Sequence, residues 1–277
     1  MKRKLVLVTV IASMLVSGLT GCGSSAQTAT SSTTETATTA DAAVDTQTTG
    51  NDLNIMIETP VESLDPQIGQ DGTSFEVIAD FTDGLMQMDA EGSPVPAIAE
   101  SYEISEDGMT YTFHLRDDAK WSNGTEVTAA DFVFGWQRAV DPKNACEYSY
   151  MMSDIGQVKN AAEIIAGEKD KSELGVTALD DTTLQVELNV PVSYFLSLMY
   201  FPTFYPVNEE FYNTCADTFA SSPETTLANG AFMLDSYEPA ATTIHLTRNP
   251  YYYDADKIAL SGLHYQVIQD SQQALMS

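Results

Sequence analysis

Hydrophobic and polar positions alternate in some stretches of this chain and recur at helical spacing in others. Met109, Tyr111, Phe113 and Leu115 are each separated by one polar residue, so MTYTFHLR predicts a half-buried strand ending at Arg116. Leu53–Thr59, Thr243–Arg248 and Leu263–Ile268 read as further strands, and Leu85–Met88 as a short one. Val176–Leu184 predicts a strand and an Asp180-Asp181 turn leading into a second strand, Leu184–Leu188. Between Trp121 and Arg138 the pattern changes. Asn123-Gly124 supplies the positive φ angles of a tight turn, and Thr128 with Asp131 three residues on forms a capping-box pattern. Phe132, Trp136 and Ala139 or Val140 then give one apolar helical face, most simply read as lobe packing. Phe75–Phe81 and Lys159–Glu168 predict further helices, and Pro191–Leu198 a short one.

The N-terminus breaks this rhythm. Lys2-Arg3-Lys4 precedes an apolar run, Leu5–Leu19, that is shorter than the roughly 20 residues of a membrane span but fits an export signal. Gly23–Asn51 is dominated by Ser, Thr and Ala, and Val44 is its one large aliphatic residue. Such a stretch cannot bury enough apolar surface to offset its chain entropy, so it predicts a flexible tether.

Charge narrows the partners. The 277 residues carry 12 Lys and Arg against 40 Asp and Glu, net −28. Loss of the three basic residues of the signal leaves nine against 40, net −31. That surface repels nucleic acid and keeps a protein soluble beside an anionic membrane. No Gly-rich phosphate loop, G-x-S-x-G elbow, H-E-x-x-H or C-x-x-C occurs, which argues against an enzyme and calls for no cofactor. His114, His245 and His264 each fall in a predicted strand, where structural roles outnumber metal ligation, so no metal site is expected. Cys146 and Cys215 read as free or buried thiols.

Two resemblances follow from these stretches. Leu19-Thr20-Gly21-Cys22 resembles the lipobox of bacterial lipoproteins, which implies cleavage after Gly21 and lipidation of Cys22. WSNGTEVTAADFVFGWQR resembles the signature of the extracellular oligopeptide- and dipeptide-binding proteins that feed ABC importers, solute-binding protein family 5. Six further stretches match the family in order: Ser63-Leu64-Asp65-Pro66, PVPAIAESYEIS, MTYTFHLR, the Val176–Leu188 hairpin, Asn229-Gly230-Ala231-Phe232, and Asn249-Pro250 with Tyr251-Tyr252-Tyr253. Phe201–Val207 resembles the family's crossing back toward its first lobe.

The resemblance implies a mixed α/β fold of the periplasmic-binding-protein type II, cluster C. Residues 1–21 would be the signal peptide, 22–51 the lipidated tether, and 52–277 the N-terminal part of the binding domain. Its first lobe would comprise 52–82 and 201–277, with an inserted subdomain over 83–200. The chain stops within an apparent helix, Ser271–Ser277, so the second lobe and the returning hinge strand are expected to be missing. The implied function is capture of oligopeptides, without covalent chemistry, for an ABC permease and its ATPase subunits, outside the cytoplasm on a lipid-anchored protein. The segment past Asp65-Pro66 lines the cleft in the family, which nominates Gln70, Asp71, Gly72 and Thr73. The tyrosine that reaches the bound peptide falls at Tyr148, with Tyr150 the alternative, because Cys146-Glu147 departs from the family's Ser-Pro. Other solutes handled by the family (nickel, haem, oligosaccharide) and a surface adhesin or structural lipoprotein are the competing readings.

Overall fold

The computed structural model describes residues 51–268 apart from 239 and 241. The signal segment, Cys22, the tether up to residue 50 and the expected helical turn at 271–277 lie outside the described residues.

Two four-stranded sheets organise the molecule. The first draws on the two ends of the described chain. Strand β1 (Leu53–Ile57) pairs in parallel with β10 (Gly262–Val267), in a register that sets Ile55 against Tyr265. β10 continues antiparallel to β9 (Thr243–Arg248), and β9 to β8 (Phe232–Ser236). Helix α1 (Gly72–Phe81) covers one face of this sheet, where Val77, Ile78 and Phe81 meet Leu234, Ile244, Leu246 and Leu263. The second sheet comes from the middle of the chain: β4 (Ala99–Ile104), β5 (Thr110–Leu115), β7 (Thr183–Glu187) and β6 (Val176–Asp180), all antiparallel. A two-stranded ribbon, β2 (Met86–Met88) with β3 (Pro94–Pro96), precedes it.

Helix α2 (Ala129–Val140) packs on the second sheet and joins it to the crossing segment. Its predicted apolar face is buried: Phe132 and Trp136 are fully enclosed with Phe113, Leu184, Val186 and Phe195. The turn before it forms, with Trp121 N–H donating to Thr125 C=O at 2.8 Å, but of the Asn123-Gly124 pair expected at positive φ only Gly124 takes one, +87°. Thr128 is the N-cap, and the Asp131 carboxylate accepts from the Thr128 backbone N–H at 2.9 Å. The same carboxylate accepts from the Trp121 indole at 3.1 Å, which fixes turn and helix together. On the far side, Trp136 Nε1 donates to the Phe204 carbonyl at 2.8 Å. Gly135 lies so close to the crossing segment that a Cβ there would stand 2.5 Å from the Tyr205 carbonyl oxygen.

Several elements depart from expectation. α1 begins three residues before the predicted Phe75, because the Asp71 carboxylate caps it by accepting from Ser74 N–H at 2.8 Å. Helix α3 is only Ala161–Ile165, bounded by Asn160 and Gly167, both at positive φ. Pro191–Leu198 reduces to a 3-10 turn over Phe195–Leu198. Strands β3, β4 and β8 and a short helix α4 (Glu209–Cys215) form where no element was predicted. Cys146 and Cys215 are both free thiols.

Candidate functional site

The Asp65-Pro66 turn shapes the nominated loop. The Asp65 carbonyl accepts from Ile68 N–H and Gly69 N–H at 3.0 and 2.8 Å, and its carboxylate accepts from Gln67 N–H at 3.0 Å. That carboxylate is also the buried partner of Arg138, the last charged residue of α2. Arg138 Nη2 donates to Asp65 Oδ2 at 2.7 Å, and Nη1 to Asp65 Oδ1 at 3.2 Å and Gln67 Oε1 at 2.6 Å. Their side chains keep only 4% and 10% exposure. The guanidinium lies over the Tyr212 and Phe219 rings, 4.4 and 5.2 Å from their centroids. Burial works against the Arg138 charge, but Asp65 outweighs it and holds the group above its ordinary range. Two of the sequence motifs, S-L-D-P and the W-x-R end of the helix, are thus one interlocked unit.

Beyond this anchor the loop reaches α1. Gln70 and Gly72 are exposed, and no atom stands within 4 Å of the position a Cβ would take on Gly72. Asp71 and Thr73 are engaged locally. Asp71 accepts from the Ser74 hydroxyl at 2.5 Å as well as from its N–H, and the Thr73 hydroxyl bonds that of Thr59 at 2.7 Å. Asp71 and Thr73 therefore position the loop, while Gln70 and Gly72 are its open points.

Tyr148 stands on a 3-10 turn, Glu147–Ser149, and is half-buried. Its ring meets Phe75 edge to face at 5.1 Å, Phe201 at 5.4 Å and Tyr150 in a stacked arrangement at 5.7 Å. Phe75 and Phe201 are themselves 5.1 Å apart. Phe75, which Tyr148 meets, belongs to the first turn of α1, two residues after Thr73. Tyr150 is 43% exposed. Tyr148, Tyr150, Phe75 and Phe201 therefore form one cluster of aromatic rings. Sequence reasoning did not nominate Phe75 and Phe201. Phe75 carries only the signal of an aromatic residue just after the nominated loop, and Phe201 that of the first residue of the crossing stretch.

A second junction lies where α1 ends. Asn229 clamps Asp83, accepting from its N–H at 3.0 Å and donating to its carbonyl at 3.1 Å. Tyr253 donates to Asp83 Oδ2 at 2.8 Å and lies under the Arg116 guanidinium at 3.6 Å. Asn249 Nδ2 donates to the Gly230 carbonyl at 2.9 Å. The N-G-A-F and N-P-Y-Y-Y stretches therefore fasten together at Asp83, the first through its backbone and the second through its carboxylate. Burial pushes Asp83 up to about 6, against the pull of the Tyr253 and Tyr252 hydroxyls. Burial likewise raises Asp80 to about 6 despite its hydrogen bond from Tyr265.

Residues 93–277 match the family described as bacterial extracellular solute-binding proteins, family 5. The chain belongs to this family. Among its relatives, a probable deoxycholate-binding periplasmic protein of Escherichia coli is 41% identical over 76% of this chain and 38% of its own length. The dipeptide-binding protein of Lactococcus lactis is 37% identical over 79% of this chain and 40% of its own. The solved structure of Listeria monocytogenes OppA bound to peptide superposes with a TM-score of 0.79. It is 39% identical over 82% of this chain and 44% of that one. The chain spans about 40% of the length of these curated relatives. Membership fixes the fold as that of the periplasmic peptide-binding proteins, with an early-and-late sheet and a separate sheet from the middle of the chain.

Proposed function

We propose that this chain is the first part of an oligopeptide-binding protein serving an ABC importer, and that it changes no covalent bond in its ligand. The observation that carries the reading is the fold shared with a peptide-bound relative; the exposed loop residues Gln70 and Gly72 and the ring cluster at Tyr148 and Tyr150 support it as the place of binding. In this reading an extended peptide lies along the open loop, its backbone pairs with main-chain groups, and one side chain rests on the Tyr148–Phe75–Phe201 floor. The same reading divides the chain into a first lobe, 52–82 with 201–277, and an inserted subdomain, 83–200. Cys22 is its lipid anchor, attaching the protein to the membrane that holds the permease and its ATPase subunits.

The test is transport by intact cells. Deleting the gene should slow uptake of a labelled oligopeptide, the unaltered gene should restore it, and a Tyr148→Ala copy should restore it poorly. Unchanged peptide uptake after deletion refutes the proposal. The deoxycholate-binding relative supports a second reading, because an aromatic floor also suits a steroid face. Labelled deoxycholate in the same cells separates the two: loss of its uptake, with peptide uptake intact, favours the second.

A further inference from the structure

The sequence sets His245 and His264 in separate strands, and the fold makes them neighbours. They are directly opposed across the antiparallel β9–β10 ladder, on the face of the sheet away from α1. Opposed residues of this kind bring their Cβ atoms within about 5.5 Å. The two rings lie with centroids 4.3 Å apart, edge to face at 61°. His264 Nε2 is 3.3 Å from Asp52 Oδ2, a carboxylate delivered by the residue just before β1. The His264 side chain remains 27% exposed and that of Asp52 15%.

We propose that His245 and His264 form a binding site for a late first-row divalent cation such as zinc. Imidazole nitrogen is a preferred ligand for these ions, at about 2.0–2.1 Å for zinc. With His264 Nε2 held at Asp52, the binding geometry needs only rotation about the broad χ2 of His245 to aim one of its nitrogens at an ion on the Nδ1 side of His264. Asp52 acts behind the ligands. By accepting the Nε2 proton of His264 it leaves Nδ1 as the donor to the ion, the carboxylate–histidine–metal arrangement found in many metal sites. Among the described residues no three metal-ligating side chains converge. The protein therefore supplies two nitrogens, and water fills the remaining positions from the open side.

The site is independent of the peptide-binding surface, since none of its residues belongs to the nominated loop or the aromatic floor. Titration calorimetry of the full chain with zinc chloride should show one equivalent bound. His245→Ala and His264→Ala should each abolish that isotherm, Asp52→Asn should weaken it about tenfold, and His114→Ala should leave it unchanged. Magnesium chloride should not reproduce it, because magnesium favours oxygen ligands. Acylation of histidines by diethyl pyrocarbonate, mapped in the unaltered protein, gives a check that needs no variant: zinc should protect His245 and His264 and leave His114 reactive. Absence of a zinc isotherm, an isotherm that survives loss of both histidines, or no protection overturns the proposal.

Discussion

Replacement of Arg138 by Met tests whether the junction between the Asp65 turn and α2 depends on a buried charge pair. The change keeps most of the side-chain volume and removes all three hydrogen bonds from the guanidinium to Asp65 and Gln67. It also leaves the Asp65 carboxylate enclosed without its counter-charge. Breaking a buried pair from one side typically costs about 3–5 kcal/mol, most of it the penalty on the abandoned charge. Loss of the contact with the Tyr212 and Phe219 rings adds about 0.5–2 kcal/mol. For a folded region of this size each kcal/mol moves the melting temperature by about 2–4 °C, so Arg138→Met should melt at least about 6 °C lower. The reasoning is checked by a cycle in urea or by calorimetry. Asp65→Asn in the Arg138→Met background removes the stranded charge and should regain about 1–2 kcal/mol, although in the unaltered protein the same substitution destabilises. If Arg138→Met costs less than about 1 kcal/mol, or if Asp65→Asn adds its full cost in both backgrounds, the abandoned-charge argument is wrong.

Three further outcomes follow from the same geometry. Asp83 is raised from its ordinary 3.8 to about 6, so the folded state holds this proton more tightly than the unfolded chain. Its contribution to stability is therefore fully present below pH 4 and lost as pH rises through 6, a cost of at most about 3 kcal/mol. Asp83→Asn should be more stable than the parent at pH 8 and equal to it near pH 4, measured by urea unfolding; a deficit at both pH values contradicts this. Gly135→Ala places a methyl group 2.5 Å from the Tyr205 carbonyl oxygen, and should destabilise by about 1–3 kcal/mol, despite alanine's better helix propensity. Burial pushes the Cys146 thiol up to about 11, so mass-spectrometric mapping after brief iodoacetamide treatment at pH 8 should find Cys215 modified well before Cys146.

The parts of the fold legible in the sequence were those with internal periodicity. β5 and β9 alternate cleanly, and α2 shows both its cap and its apolar face, so their bounds fall within a residue or two of expectation. β4 was missed because it is an edge strand whose residues after Ala99 are all exposed, leaving no buried alternation to detect. α4 has no fully buried residue and hence no apolar stripe. The candidate surface was legible only in pieces. Gln70–Thr73 and Tyr148 came from resemblance, but Phe75 and Phe201 meet Tyr148 through contacts between distant segments, which no local pattern encodes. For the same reason the Arg138–Asp65 pair, 73 positions apart, and the His245–His264 pair could not be read before the chain was folded.

The parallel pairing of β1 with β10 also constrains how the molecule assembles. Leu53 meets Leu263, so a segment made among the first must wait for one made 210 residues later. The hairpins of the central region close between near neighbours and can condense early, whereas ring closure over so long a span is slow. Until residues 262–267 leave the ribosome, β1 has no strand to lie against, and α1 has only part of the surface it covers. A chain with this order of events keeps its first strand unpaired until nearly all of the described residues have been made.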